Sequence, residues 1–554
     1  MWGIDFARLI GRDRPGEKHA VRVDPRLSVE DQRAMFAFVR SILHRADQNL
    51  SESGETEEDT IVFSDADRPA TLSVAFWIGG VLRGCWVVSR LSFKEALREA
   101  AFRAAKDPRF KPVGKRDLAE ARIEITLLSL SQTMPVYQWK EQKEVNPEKG
   151  YHFSYQNRQG WLLPEVFNCL RFRGMDDFLK TLITEKAGCR IDKGCLAQGK
   201  IEIFETEDYI ESAGKERILS LAGPLVQSDR LYTTFDSLFL GDLNTLLHQA
   251  AEQLLRAQEE DGNIQPIINP LSGKIRQVDW IRLALSATAL AMLGETTGRE
   301  SYRIAAEKAG EYVWKYGYNH PYLDIYTKTL CRVYYAEYLW IVGRADEAKS
   351  VAWEILKQVH LVRFEPIFLL KVVSLLLLFE EQDFFKKSET IFDSVWNDFV
   401  QKKNQHHVEL ARFPELIVVA DKLFFTTGEY QYREKSLQVT SWLIDQQHQN
   451  GSFPSVTGGS DFSSYTRGTG KIFEVLALDP KGNQESILWT FRWLRDMQYT
   501  RESTFFVQSE NCENILGGFR HDVFNQEVWI DGSAHVLIGG ARLLRALKKK
   551  NEVG

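Results

Sequence analysis

Residues 71–88 read TLSVAFWIGGVLRGCWVV and decide the fold of the N-terminal half. β-Branched and aromatic residues dominate both ends of this stretch, which is typical of strands. Gly79-Gly80 lies between them, and glycine adopts the positive φ that a tight hairpin turn requires. The stretch therefore predicts a β-hairpin of residues 71–77 and 81–88.

The segments around this hairpin alternate between helix and strand patterns. Ser92 is a suitable N-cap for an alanine-rich helix, which must end at Asp107-Pro108 because the residue before proline disfavours helical backbone. Further predicted elements are an acidic loop at 49–60, strands at 123–130 and 200–204, and a helix at 176–187 that stops at Gly188.

From residue 240 onwards, apolar residues recur with the helical period in segment after segment. The short loops between these segments indicate stacked helical hairpins. The predicted division is an α/β domain at 1–213, a linker at 214–236 and a helical domain at 237–554. The predicted helices are 246–257, 280–293, 302–315, 330–341, 348–359, 366–379, 388–399, 416–427, 433–446, 469–478, 485–497 and 533–547.

A short pattern recurs in the helical half, in which a helix ends in Gln and a turn with Gly follows. It reads LLRAQEEDGNI at 254–264, LIDQQHQNGSF at 443–453 and LRDMQ…GGF at 494–519. Gln is suited to hydrogen-bond the open groups of a helix end, and Gly supplies positive φ. We expect the Ile or Phe that follows to pack into the neighbouring hairpin. The alternative is that the helix-Gln-turn-Gly pattern recurs by chance.

Composition narrows the class of protein. The 554 residues have a formal net charge of −6, which gives no general attraction to nucleic acid or anionic membranes. We find neither a secretory signal nor an apolar run of the ~20 residues that a membrane span needs, so we expect a cytoplasmic protein. Nucleotide-loop, HExxH and CxxC motifs are absent from the sequence, so no metal site is predicted and the cofactor stays unknown.

Several N-terminal motifs resemble the AMMECR family. These are VLRGC at 81–85, DPRF at 107–110, IEITLLS at 123–129, GYH at 150–152 and LLPEV at 162–166. The resemblance covers roughly residues 30–212 and implies an α+β domain whose activity is not settled. Relatives of this family accompany Memo-like and radical-SAM proteins, which are therefore the expected partners.

The motifs QNGSF at 449–453, GGF at 517–519 and DGSAH at 531–535 resemble the α/α-toroid superfamily. This superfamily includes terpenoid cyclases, protein prenyltransferase β-subunits and six-hairpin sugar enzymes. The expected fold is an α+β AMMECR-like domain followed by an all-α toroid of helical hairpins.

Cys85 is the first candidate for catalysis. Side chains alternate along a strand, so Arg83 and Cys85 are predicted to share a face, where the guanidinium would favour the nucleophilic thiolate. His152 is the candidate base. Gly84, Trp86 and Arg109 are the candidate substrate contacts in this domain. The alternative is a buried, inert cysteine.

In the helical half, Asp531 and His535 are spaced to share one helix face. With Arg520, Asp445 and Asp461, they are candidates to line a central cavity and contact a substrate. The alternative is structural, with Asp531 capping the last helix.

Two functions follow. The first is an enzyme or accessory enzyme of a modification pathway, with a Cys-containing pocket and a toroid that binds a small-molecule or peptide substrate. The second is a non-catalytic binding or scaffold protein whose toroid holds a peptide or partner protein. A deep cavity lined by acidic and aromatic side chains favours a small ligand, whereas a cavity plugged by Trp and Phe favours a scaffold.

Overall fold

The computed structural model describes residues 27–47, 67–142, 144–170, 172, 175–228, 230–276, 278–359, 366–379, 381–460 and 462–553. The predicted acidic loop at 49–60 and Asp461 lie outside these residues. None of the helices that the structure describes has both the length and the apolar composition of a membrane span. The cytoplasmic location stays a prediction.

The N-terminal half is a curled antiparallel sheet with helices. Its elements are α1 Val29–Asp47, β1 Pro69–Ile78, β2 Val81–Ser92, α2 Phe93–Ala105, α3 Lys115–Glu120, β3 Arg122–Pro135, β4 Lys149–Tyr155, β5 Arg158–Leu162, α4 Met175–Lys180, α5 Lys193–Gln198, β6 Lys200–Glu211, β7 Ile218–Ala222 and β8 Leu225–Val226. The strand order is β2-β1-β3-β6-β4-β5, with β7 beside β6 and β8 beside β7. Thus β7 and β8 extend the sheet into 214–236, the predicted linker, and the exact domain boundary stays a prediction.

The predicted hairpin is confirmed. β1 and β2 pair in antiparallel register around Gly79 and Gly80, whose φ angles are 58° and 79°. Helix α2 begins with a capping box, in which the Ser92 hydroxyl accepts from the Glu95 amide and the Glu95 carboxylate accepts from the Ser92 amide. α1 and α2 cover one face of the sheet with a core that includes Phe36, Phe76 and Leu97.

The C-terminal half is an α/α-toroid. Its elements are α6 Ser237–Arg256, β9 Ile267–Ile268, α7 Trp280–Thr297, α8 Glu300–Tyr312, α9 Ile325–Ile341, α10 Ala345–Val359, α11 Pro366–Leu376, α12 Gln382–Lys402, α13 Pro414–Thr427, α14 Tyr430–Ile444, α15 Thr466–Leu476, α16 Gln484–Met497, α17 Ser509–Ile515, β10 Val528–Trp529 and α18 Ile530–Val553.

Contacts between these helices close into a ring. In the described part of the chain, α7, α9, α11, α13, α15 and α18 each contact the next, and α18 returns to α7. Each of them also packs against an outer helix: α8, α10, α12, α14, α16 and α6, respectively. Inner and outer helices alternate along the chain, which is the hairpin arrangement that the helical periodicity predicts.

The Gln–Gly pattern is a structural repeat. Gln258, Gln447 and Gln498 each donate a side-chain hydrogen bond to the carbonyl of a turn glycine, at 3.4, 2.9 and 2.9 Å. Each also donates to a carbonyl outside that turn, of Ala305, Ser486 and Leu246 respectively. The three glycines, Gly262, Gly451 and Gly517, have positive φ and lie against the backbone of an outer helix, and the Ile or Phe after each is buried.

The segment between α16 and α18 joins the two halves. Phe505 packs edge-on against Trp77 at 5.1 Å, and Arg122 donates to the Glu502 carbonyl at 3.0 Å. Phe524 packs against Phe167 at 5.7 Å. This long connection is thus a main contact of the toroid with the sheet domain, and helix α16 adds another, where the Ser228 amide donates to Asp496 at 2.8 Å.

Candidate functional site

The DPRF residues hold the backbone of Cys85. The Asp107 carboxylate accepts from the Cys85 amide at 3.2 Å, and Arg109 donates to the Cys85 carbonyl at 2.9 Å. Arg109 also pairs with Asp107 at 2.6 Å. Burial alone would raise the pKa of Asp107, but the hydrogen bonds from Arg109 and Cys85 outweigh it and lower that pKa. The structure thus gives Arg109 a positioning role beside Cys85.

The Cys85 thiol lies among carboxyl groups. It donates to Glu165 Oε1 at 3.6 Å, and Cys85 is in one row with Ala75 and Glu124 across β2, β1 and β3. Burial raises the pKa of this thiol well above its usual value, and the charges of Glu165 and Glu124 raise it further, while Arg109 lowers it by less. The thiol is therefore protonated at neutral pH, which disfavours a nucleophilic role.

Three predicted neighbours of Cys85 are placed differently from the prediction. The β1–β2 register skips Arg83, a bulge that breaks the alternation of faces, and Arg83 donates to the Lys111 carbonyl at 3.3 Å. At Gly84, an added Cβ would lie 2.0 Å from the Ala104 carbonyl oxygen, so this glycine serves helix packing. Trp86 packs against the core under α2, the opposite face from Cys85.

His152 is paired elsewhere. Its Nδ1 lies 2.7 Å from Glu202 Oε2, and its ring stacks on Trp161 at 4.2 Å. Three strands, β1, β3 and β6, separate β2 from β4. The sheet curls enough for Trp161 to share a small cluster with Cys85, but the group in contact with the thiol is Glu165. Sequence reasoning missed Glu165, although it lies in the LLPEV motif.

The toroid encloses a central cavity with a volume of about 1040 Å³. All six inner helices contribute to its lining. The aromatic lining residues are Tyr326, Tyr334, Trp340, Phe368, Phe424 and Phe425, and the charged ones include Glu337, Lys371, Glu415, Lys422, Lys471, Glu474 and Arg542. The cavity is open rather than plugged, which by the criterion above favours a small polar ligand.

His535 and Glu474 form a dyad on the cavity wall. His535 Nδ1 lies 2.5 Å from Glu474 Oε1, and Arg542 lies 3.5 Å from the other carboxylate oxygen. Gly470 brings α15 and α18 together, because an added Cβ would be 3.0 Å from the His535 Cβ. Burial lowers the pKa of His535, so its imidazole is neutral at pH 7. An ionised Glu474 only accepts, so Nδ1 carries the proton and the Nε2 lone pair is free to act as a base.

Lysines face the same cavity. Lys371 pairs with Glu337 at 2.7 Å and with Glu415 at 3.7 Å, and these carboxylates raise its pKa even though burial alone would lower it. Lys422 instead donates to the Ser374 carbonyl at 2.6 Å, and burial lowers its pKa to about 8. Lys471 makes no ion pair within the described ranges, and burial lowers its pKa as well. Two ammonium groups therefore lack a carboxylate partner.

Two of these lysines could have been recognised from the sequence, because each is surrounded mostly by apolar residues. Helix α11 reads PIFLLKVVSLL and α13 reads PELIVVADKLFFTT, so Lys371 and Lys422 each lie in a helix of mostly apolar residues. Lysine is rarely buried without a reason, and this pattern is the signal by which sequence reasoning would have found them.

The other predicted residues of the toroid are dispersed. Asp531 pairs with Arg282 at 3.1 Å near the start of α18. Arg520 lies at the junction, where it donates to Asn168 of the sheet domain at 2.8 Å. Asp445 is exposed at the end of the outer helix α14, away from the cavity lining. Of the five toroid candidates, His535 is the one that the structure places in the cavity wall.

Residues 38–209 match the family model described as AMMECR1. The sheet domain is an AMMECR1 domain. A protein of Methanocella arvoryzae (strain DSM 22066 / NBRC 105507 / MRE50) is 33% identical to this chain over 106 residues. These are 18% of the chain and 54% of that protein, so the chain spans about half the length of this curated relative.

Solved structures resemble each half in fold alone. The uncharacterized protein PH0010 from Pyrococcus horikoshii is 20% identical and covers 35% of this chain and 98% of its own, with a TM-score of 0.30. Cellobiose 2-epimerase from Bacillus thermoamylovorans B4167 is 11% identical over 56% of this chain and 100% of its own, with a TM-score of 0.46. An unsaturated glucuronyl hydrolase specific for heparin is 12% identical and covers 55% of this chain and 98% of its own, with a TM-score of 0.44. A relationship to terpenoid cyclases stays a prediction.

Proposed function

We propose that the toroid cavity is the functional centre of the chain and binds a small, hydroxyl-rich anion, on which the His535–Glu474 dyad acts as an acid and base. The observation that carries the proposal is an open cavity of about 1040 Å³ with this dyad in its wall. Its volume is at the upper end of the range for small-molecule sites.

The chemistry of the lining specifies the ligand. Lysines donate hydrogen bonds and carboxylates accept them, and a hydroxyl group can satisfy both. Lys422 and Lys471 have no carboxylate partner in the described chain, so a carboxylate or phosphate on the ligand complements them. Six aromatic side chains supply apolar faces between these charges. A sugar acid or sugar phosphate has all of these properties.

The dyad supplies the chemical step. Neutral His535 accepts a proton from the ligand at Nε2, and Glu474 stabilises the imidazolium that forms. Negative charge that develops on the ligand lies among ammonium groups, where it is stabilised. Proton transfer is therefore the reaction class that the geometry supports. The Memo-like and radical-SAM partners of the AMMECR1 domain remain predictions.

The test is calorimetric titration with glucuronate, glucose 6-phosphate and uncharged glucose. We expect at least one anion to bind at least 10-fold more tightly than glucose, and Lys471→Met to remove that preference. Lys357→Met, an exposed lysine on α10, is the matched control. His535→Asn is expected to keep binding but to abolish exchange of ligand C–H for deuterium, followed by NMR in D2O. Equal binding by wild type and Lys471→Met would overturn the proposal.

A further inference from the structure

The two mouths of the toroid cavity differ in character. Inner and outer helices alternate along the chain, so the inner helices are parallel and their C-terminal ends meet at one mouth. The mouth at their N-terminal ends is charged, with Glu409, Arg412 and Arg467 beside Tyr326. The mouth at their C-terminal ends is lined over much of its circumference by apolar side chains. We name them the apolar rim: Trp340, Leu378, Phe424, Phe425 and Leu478.

The apolar rim runs over four consecutive inner helices. Trp340 belongs to the last turn of α9 and Phe425 to that of α13, while Leu378 and Leu478 follow the ends of α11 and α15. Each of these helices contacts the next. Trp340 also packs edge-on against Phe379 at 5.3 Å, which joins the ends of α9 and α11. The rim is therefore one continuous arc.

Three side chains of the apolar rim are exposed to an extent that is unusual for their size. Phe425 is 81% exposed, Leu478 is 39% exposed and Trp340 is 38% exposed. Single exposed apolar residues are normal in proteins, but a contiguous apolar patch marks a binding surface. The rim therefore indicates that an apolar group binds at this mouth.

Charged side chains at the same mouth are paired with one another. Arg433 lies 3.1 Å from Asp421 and 3.3 Å from Asp479. On the other side of the ring, Arg545 pairs with Glu295. These pairs satisfy the charges within the protein, so the apolar arc is the part of the mouth that a ligand would complement.

Polar residues lie one helical turn below the apolar rim. Residues three or four apart share a helix face, and one turn is about 5 Å along the axis. The pairs, all of them in the cavity lining, are Glu337 with Trp340, Ser374 with Leu378, Lys422 with Phe425 and Glu474 with Leu478. A ligand whose polar head lies among the deeper residues therefore has its next atoms at the rim.

We propose that the ligand of the toroid is an amphiphile, in which a hydroxyl-rich anionic head binds inside the cavity and an apolar chain lies along the apolar rim. This proposal rests on the function proposed above and names the class of its ligand. The separation of about 5 Å between polar and apolar groups favours a chain that is attached to the head itself. A partner protein seated on the rim would instead cover this mouth.

The test is calorimetric titration of the full chain with pairs of ligands that differ only in the chain. The pairs are methyl and octyl β-D-glucuronide, and methyl and octyl β-D-glucoside 6-phosphate. Because burial of each methylene group favours binding, we expect the octyl member of at least one pair to bind about 10-fold or more tightly than its methyl counterpart. Octyl β-D-glucoside has the chain without the anion and should bind about 10-fold or more weakly than that octyl anion.

Variants assign the gain to the apolar rim. Phe425→Ser and Leu478→Ser should each reduce the ratio of octyl to methyl affinity about three-fold or more, because each removes apolar surface from the rim. Phe102→Ser makes the same change at a phenylalanine that is 41% exposed on α2 of the AMMECR1 domain. This control should leave the ratio unchanged.

The outcomes separate this proposal from the function on which it rests. If a methyl anion binds but its octyl counterpart gains less than about 10-fold, the rim does not hold a chain and the small polar ligand stands alone. An unchanged ratio in both rim variants would mean that the chain binds elsewhere and would overturn the proposal. Equal binding of octyl glucoside and the octyl anion would overturn it as well. If none of the anions binds, both proposals fail.

Discussion

The surroundings of Cys85 and the toroid cavity contain similar side chains but differ in how charges are matched. Around Cys85, Glu165, Glu124 and Asp208 are buried together, and their pKa values rise. The cavity contains charges of both signs: Lys371 pairs with Glu337 at 2.7 Å, and Lys422 and Lys471 have no carboxylate partner in the described chain. Buried acids without a cation take up protons, and burial also keeps the Cys85 thiol protonated, whereas a paired carboxylate such as Glu337 stays ionised. The presence of buried ammonium groups among the carboxylates of the cavity, and of clustered acids around Cys85, distinguishes the two sites.

The largest expected effect concerns Gly84. In Gly84→Ala, the new Cβ would lie 2.0 Å from the Ala104 carbonyl oxygen, so α2 must move away from β2. We expect the free energy of unfolding of the AMMECR1 domain to fall by about 4 kcal/mol, measured by urea unfolding. Gly241→Ala on α6, where nothing lies within 4 Å, is the control and should be neutral or slightly stabilising. If Gly84→Ala lowers the free energy of unfolding by less than about 1 kcal/mol, packing of α2 does not require Gly84. Gly84 then stays a candidate ligand contact.

The next effect tests charge matching in the toroid. Lys371→Met leaves Glu337 without its partner in the cavity wall, and we expect a loss of about 3 kcal/mol. Lys402→Met removes an exposed pair with Asp398 and should cost no more than about 0.5 kcal/mol. Similar losses in the two variants would show that the cavity charges are not matched as described.

A third effect tests the unmatched acids. The pKa of Asp208 is raised from 3.8 to about 8 in the folded protein. As pH rises above 3.8, the unfolded chain loses this proton while the folded chain keeps it, so stability falls until about pH 8. Asp208→Asn removes this penalty and should stabilise the protein by about 2 kcal/mol more at pH 6.5 than at pH 5. A pH-independent effect in urea unfolding at these two values would contradict the raised pKa.

The smallest effect is kinetic. Because burial and Glu165 raise the pKa of Cys85, its rate of alkylation should keep rising to pH 9 without reaching a plateau. Glu165→Gln removes one of the charges that raise the pKa and should speed labelling modestly, about two- to five-fold, at pH 8. A plateau below the ~8.5 of a free thiol would instead identify a prepared nucleophile and favour the AMMECR1 domain as the catalytic centre.

Local patterns predicted many of the elements, although not α1, β7 or β8. The turn at Gly79-Gly80, the Ser92 cap and the helical periods all act over a few residues, and the structure confirms them. The Gln–Gly repeat could also be recognised, because two of its copies place Gly four residues after Gln and the third has the same pair around an insertion.

The site was harder to predict because it depends on distant contacts. The bulge at Arg83 breaks the alternation of faces, and although Gly84 within the strand is a cue for a bulge, it does not show which residue the register skips. The contact of Glu165 with Cys85 joins residues 80 apart in sequence. The pairing of His535 with Glu474 requires closure of the ring between α15 and α18. Hydrophobic periodicity predicts individual strands and helices, but it does not predict which of them come into contact.

The most direct test compares Cys85 and Lys471 in a single titration. Wild type, Cys85→Ser and Lys471→Met are titrated with glucuronate and glucose 6-phosphate by calorimetry. The toroid account predicts that Cys85→Ser binds as wild type does and that Lys471→Met binds at least 10-fold more weakly, a difference of about 1.4 kcal/mol or more. Loss of binding in Cys85→Ser with full retention in Lys471→Met would contradict it and move the functional centre to the AMMECR1 domain.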